Sequence, residues 1–130
     1  MGRIGKIMWR VCMTNNPEHR LDQVRKLIFT LASQDARIGT VKESLKWGQP
    51  SFATVRPKSG TPIRFDGDAD VGTYSIYVPC STSLIEDFRT HHPDMFDYHD
   101  NREIRLDLSQ PLPARELTLF LMAALTYYLP

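Results

Sequence analysis

The pattern of this chain is that of an α+β two-layer sandwich, an antiparallel sheet of about five strands with an N-terminal and a C-terminal helix packed on it. Three observations predict this class. Apolar residues step by three and four near both ends of the chain, the spacing of amphipathic helices. Between 41 and 78 they alternate with polar residues, the spacing of half-buried strands. Those strands also follow one another directly, and a run of adjacent strands flanked by helices is the order of α+β folds.

Taken in order, residues 1–15 form a basic arm, with Arg3, Lys6 and Arg10 between Ile4, Ile7 and Val11, and a single domain follows over 16–130. Asn16 is a capping residue and Pro17 suits a first helical position. Leu21, Val24, Ile28 and Leu31 then predict a helix over 17–36, with Arg20, Lys26 and Gln34 toward solvent. "VKESLKW" and "SFATV" read as strands separated by "GQP", where Gly48 and Pro50 turn a corner. "PKSG" is a turn. "TPIRFD" puts Ile63 and Phe65 on one face, "GDADVG" turns again, and "TYSIYV" puts Tyr74, Ile76 and Val78 on one face. In "STSLIEDFRTHH", Ser83 and Glu86 have capping-box spacing for a short helix. "FDYHDNREIRLDL" is a hairpin that turns at Asp100 and Asn101. Over 113–129, Leu117, Phe120, Leu121, Ala124, Leu125 and Tyr128 form the inner stripe of a last helix.

Bulk composition narrows the function classes. At 130 residues the chain is one domain with room for one core. Sixteen Lys plus Arg stand against fifteen Asp plus Glu, a net charge of +1, which predicts no pull toward nucleic acid or an anionic membrane. Two cysteines, Cys12 and Cys80, make no disulfide framework, so a reducing cytoplasm is the expected location. The first residues lack the unbroken apolar stretch of a secretory signal, and no run approaches the ~18 apolar residues of a membrane span. The phosphate-binding, dinucleotide-binding, nucleophile-elbow and C-x-x-C motifs are absent from the sequence.

Four stretches carry side chains suited to chemistry. In "ESLKWGQPSF", a kink at Gly48-Gln49-Pro50 brings Trp47 and Phe52 to one side, and Gln49 presents two donors and an acceptor over an aromatic floor. The plainer account of the same stretch is a turn with an anchoring Trp. Cys80 lies between a strand and a helix start, the setting of a reactive thiol or soft ligand, or of a small side chain packed at a strand end. "HHPDMFDYHD" offers His91, His92, Asp97 and His99 as nitrogen and oxygen ligands for Zn²⁺ or Fe²⁺, although Pro93 interrupts the helix and no helical H-x-x-x-H pair exists. A solvated helix end followed by a hairpin edge is the commoner meaning of such a stretch. "DGDADVG" imitates the start of a calcium loop, but Val71 stands where Gly is required and Tyr77 where Glu is, so it reads as a hairpin turn.

In their order, "ESLKWGQPSF", "GTPIRF", "YSIYVPCSTSLIEDF", "NREIRLDL" and "LTLFLMAALTYYL" resemble the YdhG-like domain-of-unknown-function family of small bacterial proteins. The likeness covers 16–129 and is most specific at the Trp-Gly-Gln-Pro corner and the Cys-x-Thr-x-Leu segment from Cys80 to Leu84. It implies an α/β sandwich with an antiparallel sheet and no assigned catalytic activity. Some members are described as frataxin-like iron chaperones, a role that favours an acidic first helix. Here Arg20, Arg25, Lys26 and Arg37 face Glu18, Asp22 and Asp35, which argues against iron handling. Asp100 also replaces the Gly of a Gly-Asn-Arg turn.

The expectation is a non-catalytic module that holds a small ligand or metal near Trp47, Gln49, Pro50, Phe52 and Cys80, without a cofactor. The alternative is a structural or interaction domain acting through a homodimer or a protein partner, with Tyr127 and Tyr128 in the contact. An enzyme built on Cys80 has neither an evident base nor a substrate signal.

Overall fold

The computed structural model describes residues 17–46 and 48–129. It consists of α1 (Pro17–Gln34), β1 (Thr40–Lys46), β2 (Gln49–Arg56), β3 (Ile63–Asp68), β4 (Thr73–Tyr77), α2 (Leu84–His91), β5 (Asp97–His99), β6 (Glu103–Asp107) and α3 (Ala114–Leu125). The expected N-terminal arm and Asn16 cap lie outside the described residues. The expected α+β sandwich is present, with six strands among the described residues instead of about five, all antiparallel, in the order β1-β2-β3-β4-β6-β5. Among the described residues no helix is long and apolar enough to cross a membrane.

Alternation along the strands decides which face is covered. Phe52, Ile63, Phe65, Tyr74, Ile76, Ile104 and Leu106 share one face, where they are buried under α1 and α3. Val24, Ile28 and Leu31 of α1 close that layer together with Leu117, Phe120, Leu121, Ala124 and Leu125 of α3. Residues of opposite parity, among them Arg64, Asp66, Ser75, Tyr77, Glu103 and Arg105, form the uncovered polar face. Arg20 departs from its expected place in solvent. Its Nη2 donates to the Gln110 carbonyl at 3.0 Å and so ties α1 to the segment before α3.

The turn between β2 and β3 is fastened to the end of α3. Ser59 Oγ lies 2.9 Å from the Leu125 carbonyl and 3.2 Å from that of Ile38, and the Thr61 N–H donates to the Ala124 carbonyl at 2.9 Å. These donors meet carbonyls that a helix C-terminus leaves open. α3 therefore stops at Leu125, earlier than its apolar stripe predicts, and Tyr128 is 61% exposed instead of facing the core.

The capping box before α2 is not formed. Ser83 Oγ bonds the Asp87 carboxylate at 3.0 Å, and the Ser83 N–H is taken by the Tyr127 hydroxyl at 2.9 Å, the role expected of Glu86. The hairpin turn at Asp100 is as expected, with φ 51°, the left-handed region that Asp tolerates better than most residues. At the β3–β4 turn, Asp68 Oδ1 accepts from the N–H groups of Asp70 and Val71, both at 3.1 Å, so this carboxylate serves the turn itself.

Candidate functional site

Lys46 and Gln49 are the last paired residues of β1 and β2, and Gly48 between them has φ +77°. A connection of two residues with a left-handed glycine makes a tight hairpin. The expected corner is thus a hairpin end, with Gln49 and Pro50 already inside β2. Trp47 lies outside the described residues. Lys46–Gln49 is the closing hydrogen-bonded pair, which makes Leu45–Pro50 a non-bonded pair and turns the Pro50 nitrogen toward β3. The β2–β3 ladder begins one residue later, at Ser51, so the missing N–H of Pro50 removes no ladder bond.

Beside this hairpin end the first turns of α1 cross β3 and leave a cavity of about 410 Å³. Leu21, Pro50 and Phe65 give it an apolar wall, and Glu18, Gln49 and Asp66 border it, with the Asp66 side chain on the uncovered face, where Oδ1 accepts from the Gly67 N–H at 2.9 Å. Gly67 permits the crossing, because a Cβ there would lie 2.4 Å from the Pro17 Cβ. A second cleft of about 230 Å³ shares Glu18, Leu21, Pro50 and Phe65 with the first and extends along α1 to Arg25 and Glu43, which pair at 2.7 Å. Phe52 is its floor. That ring is 0% exposed, between Phe29 at 6.0 Å and Phe65 at 4.8 Å between centroids. The two clefts make one groove with an apolar base and carboxylates along its edge.

Cys80 is not brought to this groove. β4 starts at the β3–β4 turn, near the corner, and runs away from it for five residues, about 17 Å at the usual strand rise. Cys80 follows β4, is exposed, and lines neither cleft. The joint site expected at Gln49 and Cys80 therefore splits into two places at opposite ends of the sheet.

The histidine and aspartate stretch also divides. His91 Nδ1 is 2.8 Å from the Asp87 carbonyl, and the His92 ring packs 5.6 Å from that of Phe88. Asp97 and His99 lie on one face of β5 with Oδ2 and Nε2 3.0 Å apart, a close pair without hydrogen-bond alignment. Among the described residues no three His, Cys, Asp or Glu side chains converge on a metal-sized point. Helix and strand point the four expected ligands along separate elements, and His91 is already engaged by its own helix.

Two groups not anticipated from the sequence lie elsewhere. Glu103 is 8% exposed on the uncovered face, where its carboxylate accepts from Ser75 Oγ at 2.7 Å and Arg105 Nε at 3.0 Å. Burial pushes this carboxyl up, but those hydrogen bonds and the charges of Arg105 and His99 outweigh it and hold it below the usual carboxylate range. Tyr74 is buried on the covered face, and burial pushes its hydroxyl up to about 12. Local alternation marks Glu103 as solvent-facing and Tyr74 as core, so neither has a signal before the strands are paired. No family model, curated protein or solved structure matches this chain.

Proposed function

We propose that this chain is a YdhG-like, non-catalytic module that binds a small molecule in the groove beside the Gln49–Pro50 hairpin end. The observation that carries the reading is the cavity of about 410 Å³ where α1 crosses Gly67, continuous with an apolar cleft. Its size falls within the range of small-ligand sites. Among the described residues its lining holds carboxylates and an amide but no thiol, hydroxyl or imidazole, which supports binding over nucleophilic catalysis. Leu21, Pro50 and Phe65 favour a ligand with an apolar body. Self-association as the alternative has less to draw on, because the Tyr127 hydroxyl is committed to Ser83 and only Tyr128 is open.

Native mass spectrometry on gently purified protein tests this. A stoichiometric small-molecule adduct is expected in the wild type and absent from Ala69→Trp, which fills the cavity from an exposed turn position. An adduct-free wild type, or an adduct unchanged in Ala69→Trp, overturns it.

A further inference from the structure

β5 is three residues long, so its ladder with β6 ends at Asp97–Arg105 while the β4–β6 ladder continues to Asp107. The space left beside β6 is a cleft of about 690 Å³, closed by the segments before β5 and before α3. Met95, Phe96, Leu106 and Leu112 give it apolar walls. Tyr74 also lines it, 1% exposed, and its hydroxyl has no hydrogen-bond partner among the described residues. A buried hydroxyl normally finds a partner, because leaving it unpaired costs about as much as a lost hydrogen bond.

The surrounding charges specify what that partner is. Arg20, which holds the Gln110 carbonyl in the cleft wall, has its own Nε buried and unpartnered among the described residues, and the charges of Arg20 and Asp107 act on the Tyr74 hydroxyl with opposite sign. The unmet groups at and behind the deep end, Tyr74 Oη and Arg20 Nε, are donors, so that end calls for an acceptor. At the rim, Asp94, Asp97 and Asp107 outnumber Arg105, whose guanidinium is bonded to Glu103, so an anion is disfavoured on entry. A neutral acceptor satisfies both ends. We infer that this cleft is a second binding site, for an uncharged carbonyl compound whose apolar body lies against Phe96 and Leu112 and whose carbonyl oxygen accepts from the Tyr74 hydroxyl.

Three probes with one body and different heads test the inference: 3-phenylpropanamide, 3-phenylpropanoate and 3-phenylpropylamine, titrated into the isotope-labelled full chain by NMR. The amide is expected to shift Phe96, Leu106 and Leu112 and to bind about tenfold more tightly than either charged probe, the worth of one good hydrogen bond. Tyr74→Phe should weaken the amide about tenfold without lowering the unfolding midpoint, since it removes an unpaired hydroxyl and little volume. Leu112→Trp, at a half-buried lining position, should abolish binding whatever Tyr74→Phe does to stability. Preference for the carboxylate or the amine overturns the inference, as does an amide that leaves these residues unshifted or binds Tyr74→Phe equally well.

Discussion

Replacing Glu103 with Gln removes one charge from a nearly dry site and changes little else. Ser75, 6% exposed, and Arg105 both donate to the carboxylate, at 2.7 Å and 3.0 Å. Both donors meet the same oxygen, Oε2, so Gln can keep an oxygen there, uncharged, while its NH₂ faces Arg105 Nη2, which lies 3.4 Å from the other carboxylate oxygen. Arg105 is 39% exposed and can turn Nη2 to water, so the loss is the charge assistance of the bonds to the buried oxygen, about 1–2 kcal/mol. For 130 residues the unfolding entropy is about 270 cal/mol/K, which converts that loss to a fall of roughly 4–7 °C in Tm. The pH dependence has a definite sign. Because the folded-state carboxyl is held low, its contribution is fully present above the unfolded value of about 4.3 and is lost as pH falls through the folded value. Urea unfolding of both proteins from pH 7 down to pH 3 should show the wild-type advantage constant to about pH 5 and then shrinking, as protonated Glu comes to resemble Gln. A gap that is absent at pH 7, or persists undiminished in acid, refutes the reasoning.

Two further substitutions address the frame and the groove. Ser59→Ala leaves the Leu125 and Ile38 carbonyls without their shared donor and should cost about 1–3 kcal/mol in urea unfolding, whereas Ser59→Thr, which keeps the hydroxyl, should recover part of it. Gly67→Ala places a methyl against Pro17, so α1 must lift at its first turn. A loss of about 1–3 kcal/mol is expected, with NMR shifts concentrated at Leu21, Pro50 and Phe65, and an unchanged spectrum there would show that the crossing is not tight.

Periodicity was enough to read the layers. Val24, Ile28 and Leu31 in α1, and Phe65, Tyr74 and Ile76 in the sheet, lie in the core where their spacing puts them. The errors arose where a long-range partner competed with a local rule. Ser83 and Glu86 have the spacing of a capping box, but the Tyr127 hydroxyl, 44 residues away, occupies the Ser83 N–H first. The stripe of α3 continues to Tyr128, but Ser59 and Thr61 receive the carbonyls at Ala124 and Leu125 and end the helix there. The corner at Gln49 and Pro50 was identifiable because a Gly-Gln-Pro run has a local conformational meaning. Their other wall, Leu21 and Phe65, depends on α1 crossing β3, and no local pattern encodes a crossing. Cys80 and Gln49 were separated by strand direction, which residue types do not reveal.

What distinguishes a binding group from a structural one here is whether its hydrogen bonds are already made. Glu103 is the more conspicuous residue, a buried carboxylate beside an arginine, a serine and a histidine. Yet its partners are all within the fold, so it ties β4 to β6 and has little left to offer a ligand. Tyr74 is an ordinary core aromatic by sequence, but its hydroxyl is unmatched and borders a cleft. An unmatched atom alone is insufficient, since Thr61 Oγ1 is also buried without a partner among the described residues and lines none of the clefts described above. Cavity and unmet donor occur together at Tyr74, whereas the Gln49 groove combines a cavity with carboxylates at its edge. The two proposed sites thus call for different chemistry, a mainly apolar ligand in the groove and a carbonyl acceptor at Tyr74, and a single compound that bound both equally would contradict the lining of each.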